Sequence, residues 1–334
     1  MLATPLCRQL GIAYPIFSVG MGALAGAELA AAVSNAGACG VLGLSRAPAS
    51  FIHQEIKRTR TLTERPFGAN IILARPSDEQ VAACLEARVP LLVFFWGDPA
   101  PYVESAHRCG TKVFVQVGSV EEAQAAVHAG IDGVIAQGEE AGGHVRGTIA
   151  LSTLLPAMVE AIQPVPVIAS GGIATGRGVV AALSLGAQAV SLGTRFLCSA
   201  EASATPEYKA RVVQSGAADT VKTSLFDVGW PGAPHRVLRN KIVAEWEEAG
   251  RPVTGQRPGE QSVIGTVPRF AGTVDVVKYS SGSYPSLGFT PDIEYAVLYA
   301  GVSCELVHDI PPAGQIVRAL VREAEEVIAQ LPRG

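Results

Sequence analysis

The 334-residue chain predicts an α/β fold, a (β/α)8 TIM barrel carrying a smaller inserted substrate-binding subdomain. Eight short apolar runs alternate with longer segments of helical periodicity, as parallel strands joined by helices require. Glycine-rich turns follow several of these runs, most clearly the last two. The rhythm then breaks after Phe196 and resumes only near the C-terminus.

The strand-like runs cover residues 15–19, 39–42, 68–72, 91–95, 112–117, 132–136, 165–169 and 188–192. Helical periodicity fills 27–35, 77–87, 99–109, 119–129, 152–162 and 176–185. Several of these segments begin at Ser, Asp or Pro, which cap or open helices well. Single barrels use about 250 residues, so the length leaves room for an insertion. Residues 219–289 are rich in Gly and Pro, with one helical stretch over 237–249, and VRALVREAEEVIAQL restores helical periodicity afterwards. The expected division is a barrel of residues 1–215 and 291–334, with 216–290 inserted as a substrate lid.

Composition narrows the function classes. Hydrophobic residues make up 48% of the chain, yet no apolar run approaches the roughly 20 residues a membrane helix needs. The formal net charge is −4 and the 26 Lys and Arg are scattered, so neither a membrane nor a nucleic acid is an expected partner. Cys7, Cys39, Cys84, Cys109, Cys198 and Cys304 form no C-x-x-C pair. Free thiols packed as small hydrophobes suit a reducing cytoplasm. The N-terminus lacks the basic start and apolar core of an export signal.

Gly20-Met21-Gly22-Ala23-Leu24-Ala25 follows the first strand and imitates a dinucleotide fingerprint. A Rossmann unit also wants an acidic residue after its second strand, and Val41-Leu42-Gly43-Leu44-Ser45 has none. In a barrel, small residues such as Gly22 let main chain lie against a flat ring.

Ala169-Ser170-Gly171-Gly172-Ile173 and Ser191-Leu192-Gly193-Thr194-Arg195 end the seventh and eighth strands. Barrels place phosphate sites there, because glycine lets backbone N–H groups approach phosphate oxygens and a short helix near Thr194 adds partial positive charge. No P-loop is present. These residues therefore point to a phosphorylated cofactor.

Gln137-Gly138-Glu139-Glu140-Ala141-Gly142-Gly143-His144 follows the sixth strand and sets a histidine at the barrel mouth behind permissive glycines. QGEEAGGH, together with FGANIIL upstream and VIASGGIATGRGVVAALSLGAQAVSLGTRF downstream, resembles the nitronate monooxygenase family, formerly called 2-nitropropane dioxygenases. The resemblance runs from the first strand to the closing helix and implies an FMN-containing barrel. It implies that Asn70, Gln137, Gly142, Gly172 and the Ser191, Leu192, Gly193, Thr194 segment hold FMN, with Met21 and Gln116 against the ring; Gly22, Gly143, Ser170 and Gly171 complete the backbone cradle. His144 matches the family's active-site histidine, whose ordinary pKa near 6.5 suits removal of a proton beside a nitro group.

The resemblance implies oxidation of alkyl nitronates, with nitroalkanes as further substrates, by FMN and O2 to a carbonyl compound and nitrite. An alternative on the same fold is NAD(P)H-dependent reduction of a quinone or an enoyl thioester. A nitronate is a small anion, so Arg146, Lys222 and Thr223 are candidates to bind it. Trp230 and Phe226 of the insertion are candidate lid residues. A homodimer is left open.

Overall fold

The computed structural model describes residues 2–269, 272–290 and 292–331. Among the described residues, eight parallel strands form one sheet: β1 (Ile16–Ser18), β2 (Gly40–Gly43), β3 (Phe67–Ile72), β4 (Leu91–Phe95), β5 (Lys112–Val117), β6 (Gly133–Gln137), β7 (Val167–Ser170) and β8 (Ala189–Leu192). Each neighbours the next in chain order, and β8 returns to pair with β1. The seam between β1 and β2 is bridged by Ser18 N–H to the Cys39 carbonyl at 3.0 Å and Cys39 N–H to the Ile16 carbonyl at 2.9 Å. The sheet is thereby a closed barrel, as the periodicity predicts.

Side chains alternate between the two faces of every strand. Outward residues such as Leu42, Leu92, Val115, Val134 and Leu192 join the helices in one large core. Inward residues Phe17, Val41, Val93, Phe114, Ile135, Ile168 and Ala189 fill the barrel, closed below by Leu6 and Cys7 of a short helix, Pro5–Leu10. That plug is tied to the start of β8, because Thr4 Oγ1 donates to the Gln188 carbonyl at 2.7 Å.

The helices pack outside. Gly40 shows how closely: a β-carbon there would stand 2.0 Å from the Ala30 carbonyl oxygen of helix Ala27–Asn35. The closing helix Ala313–Gln330 buries Ala313, Ile316, Val317, Leu320, Val321 and Ala324, the single stripe expected of 3.6-residue periodicity. It packs on helix Gly176–Ser184, where Gly176 N–H donates to Glu323 Oε2 at 2.7 Å.

The chain between the barrel and the closing helix builds a second body. Strands Thr220–Thr223 and His235–Leu238 pair antiparallel, and the latter also pairs with Gly143–His144 from the barrel. Helix Lys241–Glu248 and a hairpin of Val263–Arg269 and Gly272–Val277 follow. Arg257 is buried in this body, 2.8 Å from Asp227 Oδ1 and donating to the Leu225 carbonyl at 2.6 Å. Ala296 and Val297 pack into its apolar clusters, so this packing continues past residue 290; the expected boundary residue Pro291 lies outside the described residues, as do Met1, Phe270, Ala271 and residues 332–334. The six cysteines are free, and only Cys109 is exposed. Among the described residues, no helix is long and apolar enough to cross a membrane.

Candidate active site at the barrel mouth

The inward positions change character along the strands. At the bottom they are apolar; at the C-terminal ends they become Asn70, Gln116, Gln137, Ser170 and Ser191, and all five line a cavity of about 420 Å³. A polar ring of this kind above an apolar plug is what a barrel needs to hold a ligand over its mouth.

Strand parity decides which predicted residues arrive there. Met21, Gly22, Gly142, Gly143, His144, Gly171, Gly172, Gly193 and Thr194 line the same cavity. Leu192 does not: it is one residue out of phase with Ser191 and Gly193 and packs outward in the core. The three proposed anion contacts are also elsewhere. Arg146 pairs with Glu122 and lies over the Trp96 ring, 5.4 Å from its centroid. Lys222 Nζ donates to the Gly147 carbonyl at 2.7 Å, and Thr223 Oγ1 accepts from Leu225 N–H at 3.1 Å.

The cavity wall beyond β7 and β8 is formed by main chain. Gly171 and Gly172 have φ of +110° and +71°, in the left-handed region that glycine tolerates. Among the described residues, the backbone N–H groups of Gly172, Ile173, Gly193 and Thr194 have no acceptor. A β-carbon on Gly193 would meet only Val19 Cγ2, at 3.9 Å, so the cradle is open above that residue. Unpaired donors around open space suit a phosphate. Thr194 serves differently, since its hydroxyl accepts from Gly301 N–H at 3.0 Å.

The amides divide their work. Asn70 Nδ2 donates to the Val93 carbonyl at 2.9 Å, leaving its oxygen for the cavity. Gln116 makes no side-chain hydrogen bond among the described residues, so both ends of its amide are free. Gln137 is a positioning residue: its Nε2 donates to the His144 carbonyl at 2.9 Å and its Oε1 accepts from Arg146 N–H at 3.2 Å.

The loop bearing His144 is held from several sides. Glu140 accepts from Leu151 N–H at 3.0 Å, and Arg236 donates to the Glu139 carbonyl at 2.9 Å. Gly142 faces Gly301 so closely that a β-carbon would lie 2.3 Å from its nitrogen.

The imidazole of His144 sits among rings. Trp230, Tyr299, His235 and Trp96 have centroids 4.0, 5.5, 5.5 and 6.2 Å away. Nε2 is buried without a partner. Burial, reinforced by repulsion from His235 and Arg46, lowers the pKa of His144 to about 3. Burial also lowers His235, to about 4. His235 Nδ1 is 3.0 Å from the Ala233 carbonyl while Nε2 accepts from Phe226 N–H at 3.2 Å, which fixes a neutral tautomer with the proton on Nδ1.

Sequence reasoning passed over Arg46, Trp96, Tyr284 and Tyr299, and set His235 aside as a loop residue. Arg46 and Trp96 share one structural signature, a left-handed φ of +65° beyond β2 and +59° just beyond β4; nothing in the local sequence pattern announces it.

A closed barrel with polar strand ends and a histidine at its mouth is the architecture of a barrel oxidoreductase. The chain belongs to the nitronate monooxygenase family, whose model matches residues 3–82 and 75–323, and it is an oxidoreductase of that flavin-dependent class. A Mycobacterium tuberculosis relative, (3aS,4S,5R,7aS)-5-hydroxy-7a-methyl-1-oxo-octahydro-1H-indene-4-carboxyl-CoA dehydrogenase, is 35% identical over 253 residues, 75% of this chain and 70% of its own. FabK from Thermotoga maritima is similar in structure, with a TM-score of 0.82 and 33% identity, covering 99% of this chain and 98% of that one. A nitroalkane oxidase from Streptomyces ansochromogenes gives 0.77 and 28%, covering 97% and 99%.

Proposed function

We propose that the protein binds FMN across the barrel mouth and oxidises alkyl nitronates with O2 to a carbonyl compound and nitrite. The observation that carries this reading is the neutral imidazole of His144, with its buried and unpartnered Nε2, in the same cavity as the free backbone donors beyond β7 and β8.

Gly172, Ile173, Gly193 and Thr194 would receive the FMN phosphate on their N–H groups, with the Ser170 and Ser191 hydroxyls nearby. Asn70 and Gln116 would bond the polar edge of the ring, and Met21 would lie against it. FMN, when bound, supplies the electron-accepting chemistry. The chain's own residues orient the substrate, exclude water and offer His144 as a hydrogen-bonding group.

The depressed pKa refines the role of that histidine. An imidazole lowered to about 3 is a weak base toward a neutral nitroalkane. A nitronate has already lost its proton, so it asks only for orientation and a donor. An anion bound beside the ring favours the charged form and raises the pKa again. His144→Ala should therefore leave nitronate turnover largely intact while abolishing the slower nitroalkane turnover. Equal losses on both substrates would remove the proton-transfer role.

A second reading, NAD(P)H-dependent reduction of a quinone or an enoyl thioester, draws support from the relative whose name carries a coenzyme A thioester. Anaerobic mixing separates the two. Bleaching of the flavin absorbance by a nitronate and indifference to NADH and NADPH is the expected result; the converse favours reduction.

A further inference from the structure

Two arginines that line the cavity, and a third that shares an acceptor with one of them, have no carboxylate partner. Arg46, beyond β2, lines the cavity, and its Nη2 donates to the Gly229 carbonyl at 3.3 Å. Arg75, beyond β3, donates to the same oxygen. The ionisable groups facing Arg46 are Arg75, Tyr284 and Tyr299, with His144 also within its field. Arg269 lines the cavity too, bonded to Ser286 Oγ at 2.8 Å and the Gly282 carbonyl at 2.7 Å, with its guanidinium over the Tyr284 ring. Among the described residues none of the three forms an ion pair, whereas Arg195, Arg211, Arg239 and Arg257 all do.

Arg46 is also conformationally strained. Its φ is +65°, a left-handed backbone that L side chains rarely adopt. Holding it there beside a like charge opposes folding twice over. An anion arriving there relieves the like-charge repulsion, and a guanidinium presents a planar fork of donors that matches a planar, oxygen-bearing anion.

The geometry points to Arg46, supported by Arg75, as the residue that recognises the negative charge of the substrate: a planar organic anion such as a nitronate, held between the guanidinium and the aromatic wall of His144. This assignment rests on the nitronate reading for the identity of the anion. It replaces Arg146 and Lys222, whose charges are engaged outside the cavity. The shared acceptor links binding to the lid, because Gly229 directly precedes Trp230 and an anion competing for the two guanidiniums loosens their hold on that carbonyl. Gly229 and Gly232, at φ +86° and +70°, bracket the segment in left-handed backbone.

The test uses flavin-loaded enzyme and sodium nitrate as an inert planar anion, titrated at constant ionic strength against chloride. Binding is followed by calorimetry and by tryptophan fluorescence. Nitrate should bind saturably, and Arg46→Gln should weaken it about 10- to 100-fold, the loss of one charge-assisted contact. Arg46→Lys should recover part of the affinity, and Arg75→Gln should cause a smaller loss. Trp230→Phe should remove most of the fluorescence change, assigning that signal to the ring beside Gly229. Unchanged affinity in Arg46→Gln, or no saturable binding in the unaltered enzyme, overturns the assignment. Arg46-dependent binding of adenosine 2′,5′-bisphosphate but not nitrate also overturns it, in favour of a phosphate-bearing ligand. Arg46-dependent nitrate binding by an enzyme that fails to oxidise nitronates upholds the anion site and rejects the proposed reaction alone.

Discussion

The imidazole of His144 lies against the indole of Trp230, with ring centroids 4.0 Å apart and planes 28° from parallel. One ring belongs to the barrel and the other to the inserted body. The stack removes water from His144 and, with the neighbouring rings, keeps the imidazole neutral across the physiological range. The protonation state of His144 is therefore coupled to how the inserted body packs against the barrel.

Trp230→Leu should expose His144. Burial is the largest cause of its lowered pKa, so the value should rise toward the ordinary histidine range, read from the pH dependence of its ring-proton resonances. The lost stacking itself is worth about 0.5–1.5 kcal/mol. A variant whose His144 titrates as before would show that the indole does not control it.

Two neutral histidines, His235 fully buried and His144 half-buried with its Nε2 enclosed, make the fold acid-sensitive. His144 and His235 are lowered to about 3 and about 4 in the folded protein, against an unfolded value near 6.5. Between those limits the unfolded chain binds protons that the folded chain refuses. Stability is then complete above pH ~6.5 and declines as pH falls toward about 4, by up to about 1.4 kcal/mol per pH unit for each histidine. Denaturant unfolding at several pH values measures the slope, and His144→Phe should remove one histidine's share. Constant stability over this window would mean the imidazoles are not buried neutral.

Gly193→Val tests the phosphate cradle without disturbing the chain. Its φ of −92° suits any residue, and the nearest obstacle to a β-carbon is 3.9 Å away. The apoprotein should keep its melting temperature while FMN affinity falls at least about 10-fold, because the added methyls occupy the space above the free N–H groups. Flavin fluorescence quenching reports the affinity. Undiminished binding would move the phosphate elsewhere.

Gly40→Ala should do the reverse. The new methyl would stand 2.0 Å from the Ala30 carbonyl oxygen, and backbone on both sides prevents escape. Overpacking of this kind costs about 1–3 kcal/mol, seen as a lower melting temperature with any surviving folded protein still binding flavin normally.

Much of this architecture is legible in the chain. The barrel strands lie within a residue or two of the apolar runs, because strands buried on both faces read as unbroken hydrophobic stretches. The glycines after β7 are visible for the same reason they are needed: few other residues accept φ values such as those of Gly171 and Gly172, whereas Gly193 after β8, at φ −92°, leaves open space rather than an unusual backbone. The plug helix Pro5–Leu10 escapes notice because six residues are too few to show a helical period. Leu192 shares a motif with its neighbours but not a face. Arg146 is near His144 in sequence yet turns to Glu122, whereas Arg46, Trp96, His235 and Tyr299 gather from four distant segments with no common local signal. Proximity along the chain served well for backbone sites and poorly for side chains that converge through tertiary structure.

The pairing of Gly143–His144 with His235–Leu238 has a consequence for engineering. A graft that exchanges the inserted body alone would break into a ladder that runs through the His144 loop, and the register of that histidine's main chain would have to be matched anew. Transplants among relatives should therefore carry both partners across together, treating the two as one hereditary cassette.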